Sequence, residues 1–304
     1  MNLKQLEAFV WAIDLGSFSK AAARLNTTQP NISVRIRSLE NALGVQILER
    51  DAGSVRLTAR GKTLLAHSRD VLNAVESLYA ASDDESQRQG TLRLGVTELI
   101  VHTWLQDFLK VLNEKYPNIQ VELTVDLSAN LSRELSERGL DIALQNGPFD
   151  NVMSGERDLG TYPLIWVASP QLIFPKTTLK GKALTAMALT KHPILTHARE
   201  SELFKAISSH FMSEKTNDVN LVPSSNLAAC LFMAKNKMGV ATLPRTMAAD
   251  AIQNNELFEL NYAWTPESLT FKARYDENKS PGYVSAIADI ARSVSTQHEA
   301  ATSG

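Results

Sequence analysis

The side chains with the most pointed chemistry sit in one run, Thr28-Gln-Pro-Asn-Ile-Ser-Val-Arg-Ile-Arg-Ser. Hydroxyl, amide and guanidinium groups at Thr28, Gln29, Ser33, Arg35 and Arg37 are of the kinds that bond base edges and phosphate oxygens. Ile32, Ile36, Leu39 and Leu43 recur at helical spacing and predict a buried stripe. This puts Pro30, Val34 and Arg37 near the opposite face, flanked by Gln29, Ser33 and Ser38. Thr28 is expected to cap the helix, and Pro30 in its first turn costs little because that N–H has no intrahelical partner. A plain solvated helix face would look much the same, so the neighbouring elements decide what the run is for.

Leu3, Leu6, Phe9, Val10 and Ile13 predict an amphipathic helix closed by Gly16 in the left-handed region. A second helix is expected from Ser19, capped by that hydroxyl, with Ala21, Ala22 and Ala23 thin enough for close packing. After the third helix, Val45 to Arg50 and Val55 to Thr58 predict a short hairpin turning at Asp51-Ala-Gly-Ser, with Gly53 at the turn. Two close helices, the second edged with arginines, followed by a hairpin make the layout of a winged helix-turn-helix whose second helix enters the DNA major groove.

Through Phe18-Ser-Lys-Ala-Ala-Ala-Arg-Leu, Thr28-Gln-Pro-Asn-Ile-Ser, Ile36-Arg-Ser-Leu-Glu, Leu43-Gly, Leu48-Glu-Arg and Leu57-Thr-Ala-Arg-Gly, this head resembles the N-terminal domain of LysR-type transcriptional regulators. The resemblance implies that Thr28 and Ser33 touch phosphate or base edges, that Gln29 and Pro30 meet bases in the major groove, and that Arg50 clamps a phosphate from the wing. Two departures stand out. Val34 occupies a position where many relatives carry a base-reading arginine, displaced here to Arg35, and Ala52-Gly-Ser stands where many have a basic pair. Val34 is therefore expected to favour a thymine methyl, while Arg35 and Arg37 meet phosphate or flank the base contacts. Fewer wing cations should flatten the salt dependence of binding.

The rest of the composition narrows the alternatives. The chain has 304 residues and a net charge of -2. Residues 1 to 70 carry ten Lys/Arg against six Asp/Glu, leaving a mildly basic head on an acidic body. No apolar run approaches the roughly 20 residues needed to span a bilayer, and Met1 to Phe18 lacks the parts of a signal peptide, so a cytoplasmic protein without membrane contact is expected. Cys230, the only cysteine, reads as a small hydrophobe on a helix and excludes an intramolecular disulfide. No Gly-rich phosphate loop, HExxH or Gly-x-Ser-x-Gly run is present, and His102 and His197 stand isolated, so no catalytic residue, metal site or cofactor is expected.

From Thr58 to about Ser82 only Gly61, in the first turn, disfavours a helix. Leu64, Ser68, Val71, Val75 and Leu78 alternate steps of four and three, a narrow seam that fits pairing between subunits better than packing on the chain's own head. Leu64, Val71, Val75 and Leu78 are the expected dimerisation residues. A dimer would present two recognition helices to an imperfect inverted repeat in double-stranded DNA. The polar run Asp83-Asp-Glu-Ser-Gln-Arg-Gln-Gly then marks a boundary.

Beyond it, strands alternate with helices. Thr91 to Val96, a helical face at Val101, Trp104, Leu105, Phe108 and Leu112, the strand Ile119 to Val125, a helix with Leu131 and Leu135, and the strand Leu140 to Leu144 form one unit. A second comprises Pro163 to Ser169, Pro193 to Thr196, a helix through Leu203 and Phe211, Asn220-Leu-Val, a helix at Asn226 to Lys235 and the strand Val240 to Pro244. Leu269 to Tyr275 and a helix around Val284 to Val294 close the first lobe. Facing α/β lobes place a small ligand in the cleft between their strand ends.

This body resembles the effector-binding domain of the same family, itself similar to periplasmic solute-binding proteins. Carried over by motif, the resemblance implies effector contacts at Thr97, Glu98, Ser128, Gln145 and Asn146 in the first lobe and Thr196, Arg199, Ser225 and Asn226 in the second. Hydroxyls, amides and helix N–H groups suit carboxylates or other small oxyanions. Glu98 departs from the small polar or proline residue of many relatives. It either points to solvent from a loop or meets an ammonium or hydroxyl of the ligand.

The expected fold is an α+β multidomain chain: a winged helix-turn-helix at 1–58, a dimerisation helix at 59–89, and a two-lobed α/β domain at 90–304. Lobe I takes 90–162 and 268–304, and lobe II takes 163–267. The expected function is sequence-specific transcriptional regulation under a small polar or anionic effector. The resemblance further implies a dimer of dimers and contact with RNA polymerase. A cytoplasmic solute-binding protein or a small-molecule enzyme on the same two lobes is the alternative.

Overall fold

The computed structural model describes residues 1–49, 55–81, 88–149, 152–172, 183–214, 219–277 and 280–302. Three helices build the head: α1 (Leu3–Asp14), α2 (Phe18–Arg24) and α3 (Gln29–Leu43). Asn2 and Gln5 exchange side-chain and backbone bonds at 3.0 and 3.1 Å, a capping box that satisfies two orphan donors of α1. Gly16 and Gly44 take positive φ after α1 and α3, the conformation that glycine adopts without steric cost. The buried face of α3 is Ile32, Ile36 and Leu39, packed on Leu6, Phe9 and Val10 of α1.

Two caps differ from expectation. Ser17, not Ser19, begins α2, accepting the Lys20 N–H at 3.4 Å. Thr28 is the N-cap of α3, but its hydroxyl makes no capping bond, and Pro30 has no N–H to offer it. At the wing, an isolated antiparallel bridge joins Leu48 and Leu57, with Glu49 N–H donating to the Arg56 carbonyl at 2.9 Å. Arg50 and the turn around Gly53 lie outside the described residues.

The helix α4 (Ala59–Ala81) starts directly against the wing. Leu65 is buried on the head core with Leu64 and Leu72 beside it, and Ser68 folds its hydroxyl back onto the Leu64 carbonyl at 2.7 Å. The seam therefore divides. Leu64 and Ser68 serve the chain's own head, whereas Val71 and Leu78 are 41% and 71% exposed.

Beyond α4 the elements run β1 (Gly90–Val96), α5 (Glu98–His102), α6 (Leu105–Lys115), β2 (Ile119–Val125), α7 (Ser128–Ser136), β3 (Ile142–Asn146) and β4 (Gly155–Tyr162). Then come β5 (Leu164–Ala168), α8 (Ala186–Leu189), β6 (Ile194–Thr196), α9 (Glu202–Ser213), β7 (Leu221–Pro223), α10 (Leu227–Lys235), β8 (Val240–Pro244), α11 (Arg245–Gln253), β9 (Phe258–Glu259), β10 (Leu269–Tyr275) and α12 (Tyr283–Thr302). One sheet has the order β2-β1-β3-β10-β4 and the other β7-β6-β8-β5-β9. In each, four strands run the same way and one, β10 in the first sheet and β5 in the second, runs against them, so both sheets are mixed.

Lobe I buries Trp104, Phe108, Tyr116, Tyr162 and Phe271 under α6 and α12, and the Trp104 indole donates to the Tyr162 hydroxyl at 2.7 Å. Removed from water, that phenol is pushed up to about 12. Lobe II packs Trp166 and Phe211 on one side of its sheet and Ile165, Leu195, Cys230 and Leu243 on the other. Cys230 is buried, its thiol pushed up by burial, in keeping with a structural role. Leu203, Leu227, Ala228 and Leu231 of lobe II pack against the lobe I core, so the lobes touch directly.

Candidate nucleic-acid interface and inter-lobe site

With Ile32, Ile36 and Leu39 fixed inward, α3 presents Gln29, Pro30, Val34 and Arg37 to solvent, Ser33 and Arg35 half-buried at the flanks and Thr28 exposed at its cap. Val34, at the centre of this face, is 58% exposed. More than half of this aliphatic side chain is left uncovered by its own domain. The Ser19 hydroxyl donates to Gln29 Oε1 at 2.9 Å, which ties α2 to α3 and orients the Gln29 amide. At the other end Glu40 accepts the Ile47 N–H at 2.9 Å, fixing the wing base to the same helix. Among the described residues no ion pair engages Arg35 or Arg37. Sequence reasoning did not single out Ser19 as a partner of Gln29, because its position just inside a helix start suggested capping.

The second group of expected residues gathers where the strand ends of the two lobes meet. Thr97 follows β1 and donates its N–H to the Leu144 carbonyl at 3.2 Å, which sets it beside Gln145 of β3. Ser128 Oγ donates to Asn146 Oδ1 at 2.8 Å and accepts the Asn146 N–H at 3.2 Å. Thr196 ends β6, and its carbonyl accepts the Cys230 thiol of α10 at 3.5 Å. Asn226 caps α10, accepting the Ala229 N–H at 2.6 Å. Thr97 Oγ1, Gln145 Nε2 and Thr196 Oγ1 are buried without a hydrogen-bond partner, an arrangement that costs free energy unless something fills it.

Arg199, Ser225 and Asn226 are exposed, Arg199 with its guanidinium 5.6 Å above the Phe204 ring. Glu98 does not point to solvent from a loop. It belongs to a helix rather than a loop, its side chain is 17% exposed, and both oxygens accept backbone N–H groups of lobe II. Ser132, which donates to Gln145 Oε1 at 3.3 Å, escaped sequence reasoning although it lies one helical turn beyond Ser128. His197 is buried next to Thr196, and burial pushes its imidazole down to about 4. Among the described residues no cluster of His, Cys, Asp and Glu is arranged to hold a metal ion, and no helix is long and apolar enough to cross a membrane.

Comparison with known proteins gives these two sites a common setting. Residues 3–62 match the model of the bacterial regulatory helix-turn-helix protein, lysR family, and residues 85–295 match the LysR substrate binding domain. The HTH-type transcriptional regulator GltR of Bacillus subtilis is 25% identical over 261 residues, 82% of this chain and 81% of that protein. Two solved structures share the fold along nearly their whole length. ArgP from Mycobacterium tuberculosis has a TM-score of 0.61 at 22% identity, with 96% of each chain covered. Full-length CbnR, in complex with its target DNA, has a TM-score of 0.51 at 19% identity, with 97% of this chain and 100% of that chain covered. The chain belongs to the LysR family: it is a DNA-binding transcriptional regulator with an N-terminal helix-turn-helix and a C-terminal effector-binding domain.

Proposed function

We propose that residues 1–58 read an imperfect inverted repeat in double-stranded DNA, that residues 59–89 pair two such heads, and that residues 90–304 bind a small polar or anionic effector between two lobes. Gln29, Pro30 and Val34 meet base edges, Thr28 and Ser33 meet bases or phosphate, and Arg35, Arg37 and Arg50 hold the backbone. The observation that carries this reading is Val34, an aliphatic side chain 58% exposed at the middle of a face that it shares with Pro30 and with amide, hydroxyl and guanidinium groups. Such a face suits a thymine methyl set among hydrogen-bonding edges.

In the body, Thr97, Glu98, Ser128, Gln145, Asn146, Thr196, Arg199, Ser225 and Asn226 form or border the effector site, supported by the buried unpaired donors at its centre. The protein works in the cytoplasm as a regulator rather than an enzyme. Uncovered apolar side chains support two separate self-contacts: Val71 and Leu78 on α4, and Leu123 and Val125 on the edge strand β2. A dimer of dimers follows. Effector binding shifts the packing of the sensor domains, and with it the spacing of the heads, the bend of the DNA and contact with RNA polymerase.

The test is a mobility shift of the full chain on the DNA upstream of its own gene, repeated with each polar or anionic metabolite that raises the chain's melting temperature. A ligand at a hundred times its dissociation constant adds about 2.7 kcal/mol of stability. Specific retention that changes with such a ligand is the expected result. Turnover of the ligand without DNA retention would replace the regulator with an enzyme.

A further inference from the structure

The N-terminus of α10 faces the other lobe, and its first three N–H groups are already engaged. Glu98 Oε2 accepts from Leu227 at 2.6 Å, Glu98 Oε1 accepts from Ala228 at 3.0 Å, and Asn226 Oδ1 accepts from Ala229 at 2.6 Å. The carboxylate comes from α5 of lobe I, 129 residues before Leu227. A helix N-terminus favours an anion both through its dipole and through its free donors. Here the anion is part of the chain. Beside it, Thr97 Oγ1, Gln145 Nε2 and Thr196 Oγ1 remain buried and unpartnered. The site thus combines a filled anion position with unsatisfied neutral polar groups.

We infer that Glu98 is a tethered anion that occupies the α10 N-terminus, latches lobe I to lobe II, and shuts small carboxylates out of that position. Two charge-assisted bonds hold it. Its covalent tether makes its binding there intramolecular, at an effective concentration set by the fold. An incoming carboxylate would also meet the negative charge of Glu98 itself. The class of effector this end of the site accepts is therefore a neutral or ammonium-bearing polar molecule, satisfied by the hydroxyls of Thr97 and Thr196 and the amide of Gln145. This narrows the effector class and rests on the reading of the inter-lobe site given above.

Acetate is the probe. The full chain is compared with Glu98→Ala and Glu98→Gln for melting temperature and for hydrogen exchange at the Leu227 and Ala228 amides, with acetate replacing chloride at constant ionic strength and acetamide as the neutral control. In Glu98→Ala the two amides lose protection. Acetate restores it and raises the melting temperature by about 2–4 °C once it is about tenfold above its dissociation constant. Acetamide does neither, and acetate leaves the unsubstituted chain unchanged. Equal effects of acetate on both chains, or full protection of the two amides in Glu98→Ala, would overturn the inference. If the alanine variant does not fold, Glu98→Gln keeps one acceptor oxygen and is expected to lose part of the protection; unaltered protection there overturns it equally. Effector response is not read in these arms, so failure here leaves the effector reading standing, and failure of that reading leaves the acetate result as it is.

Discussion

Arg24 of the head and Asp141 of lobe I form an ion pair whose side chains are 7% and 3% exposed. The second Asp141 oxygen accepts the Arg93 N–H at 2.8 Å, and the Arg93 guanidinium donates to the carbonyls of Ala23 and Arg24 at 3.5 and 3.4 Å. Asp14 of α1 pairs with Arg69 of α4 and with Arg138 of lobe I. The Arg24 guanidinium lies 4.3 Å above the Trp11 ring. Charges withdrawn from water in this way are tolerated only as complete pairs.

Asp141→Asn should accordingly leave Arg24 buried without its counter-charge. The expected cost is about 3 kcal/mol in urea unfolding of the full chain. The exposed pair of Arg245 with Glu259, 2.7 Å apart, is the control: Glu259→Gln should cost less than about 1 kcal/mol.

Gly61 sits where α4 meets the wing, and a Cβ there would collide with the backbone carbonyl of Ile47. The same carbonyl accepts the Thr58 N–H at 3.1 Å and cannot move without losing that bond. Gly61→Ala, harmless in an isolated helix, should destabilise the head by about 1–3 kcal/mol, read as a lower urea midpoint.

His197 supplies a pH dependence with a definite sign. Burial holds its folded pKa at about 4, below the unfolded value of about 6.5. The unfolded chain therefore binds more protons between these values. Stability is complete above about pH 6.5 and is lost as pH falls toward 4, by about 2 kcal/mol between pH 6.5 and pH 5. His210 and His298, also lowered by burial, act in the same direction. In His197→Asn, unfolding measured at both pH values should show a loss smaller by about that amount.

Val71 and Leu78 face outward from α4 while Leu64 and Leu65 serve the head. The double substitution Val71→Glu with Leu78→Glu should leave the head folded and dissociate the dimer in sedimentation. A chain that stays dimeric would move the pairing surface elsewhere.

Residues with regular spacing were the legible part of the sequence. Ile32, Ile36 and Leu39 announced α3 and its outward face, since a packed helix hides one stripe and shows the other. Strand β4 did not stand out because Gly155-Glu-Arg-Asp-Leu-Gly-Thr-Tyr is mostly polar. It pairs with β10, and Glu156 bonds Lys272 and Arg274 across the ladder at 2.8 and 2.9 Å. The helical face from Val101 to Leu112 proved to be two helices, since Thr103 turns its hydroxyl onto the Leu99 carbonyl at 2.8 Å and α5 ends there. Helix α11 buries small residues, Ala248 and Ala251, which give little hydrophobic signal. The residue type of Glu98 was visible, but its partners lie on the other lobe, and no local pattern records a contact of that range.

Binding of the full chain and of Val34→Ala to the operator, each with thymine or deoxyuridine at the half-site positions, tests the central claim most directly. The unsubstituted chain should prefer its upstream DNA over a scrambled duplex by about a thousandfold or more at physiological salt. It should lose roughly fivefold, about 1 kcal/mol, when one thymine methyl is removed. Val34→Ala should bind less tightly and be indifferent to that methyl. Equal affinity for operator and scrambled DNA, or a methyl effect unchanged in Val34→Ala, would contradict the reading of α3 as the element that selects the sequence.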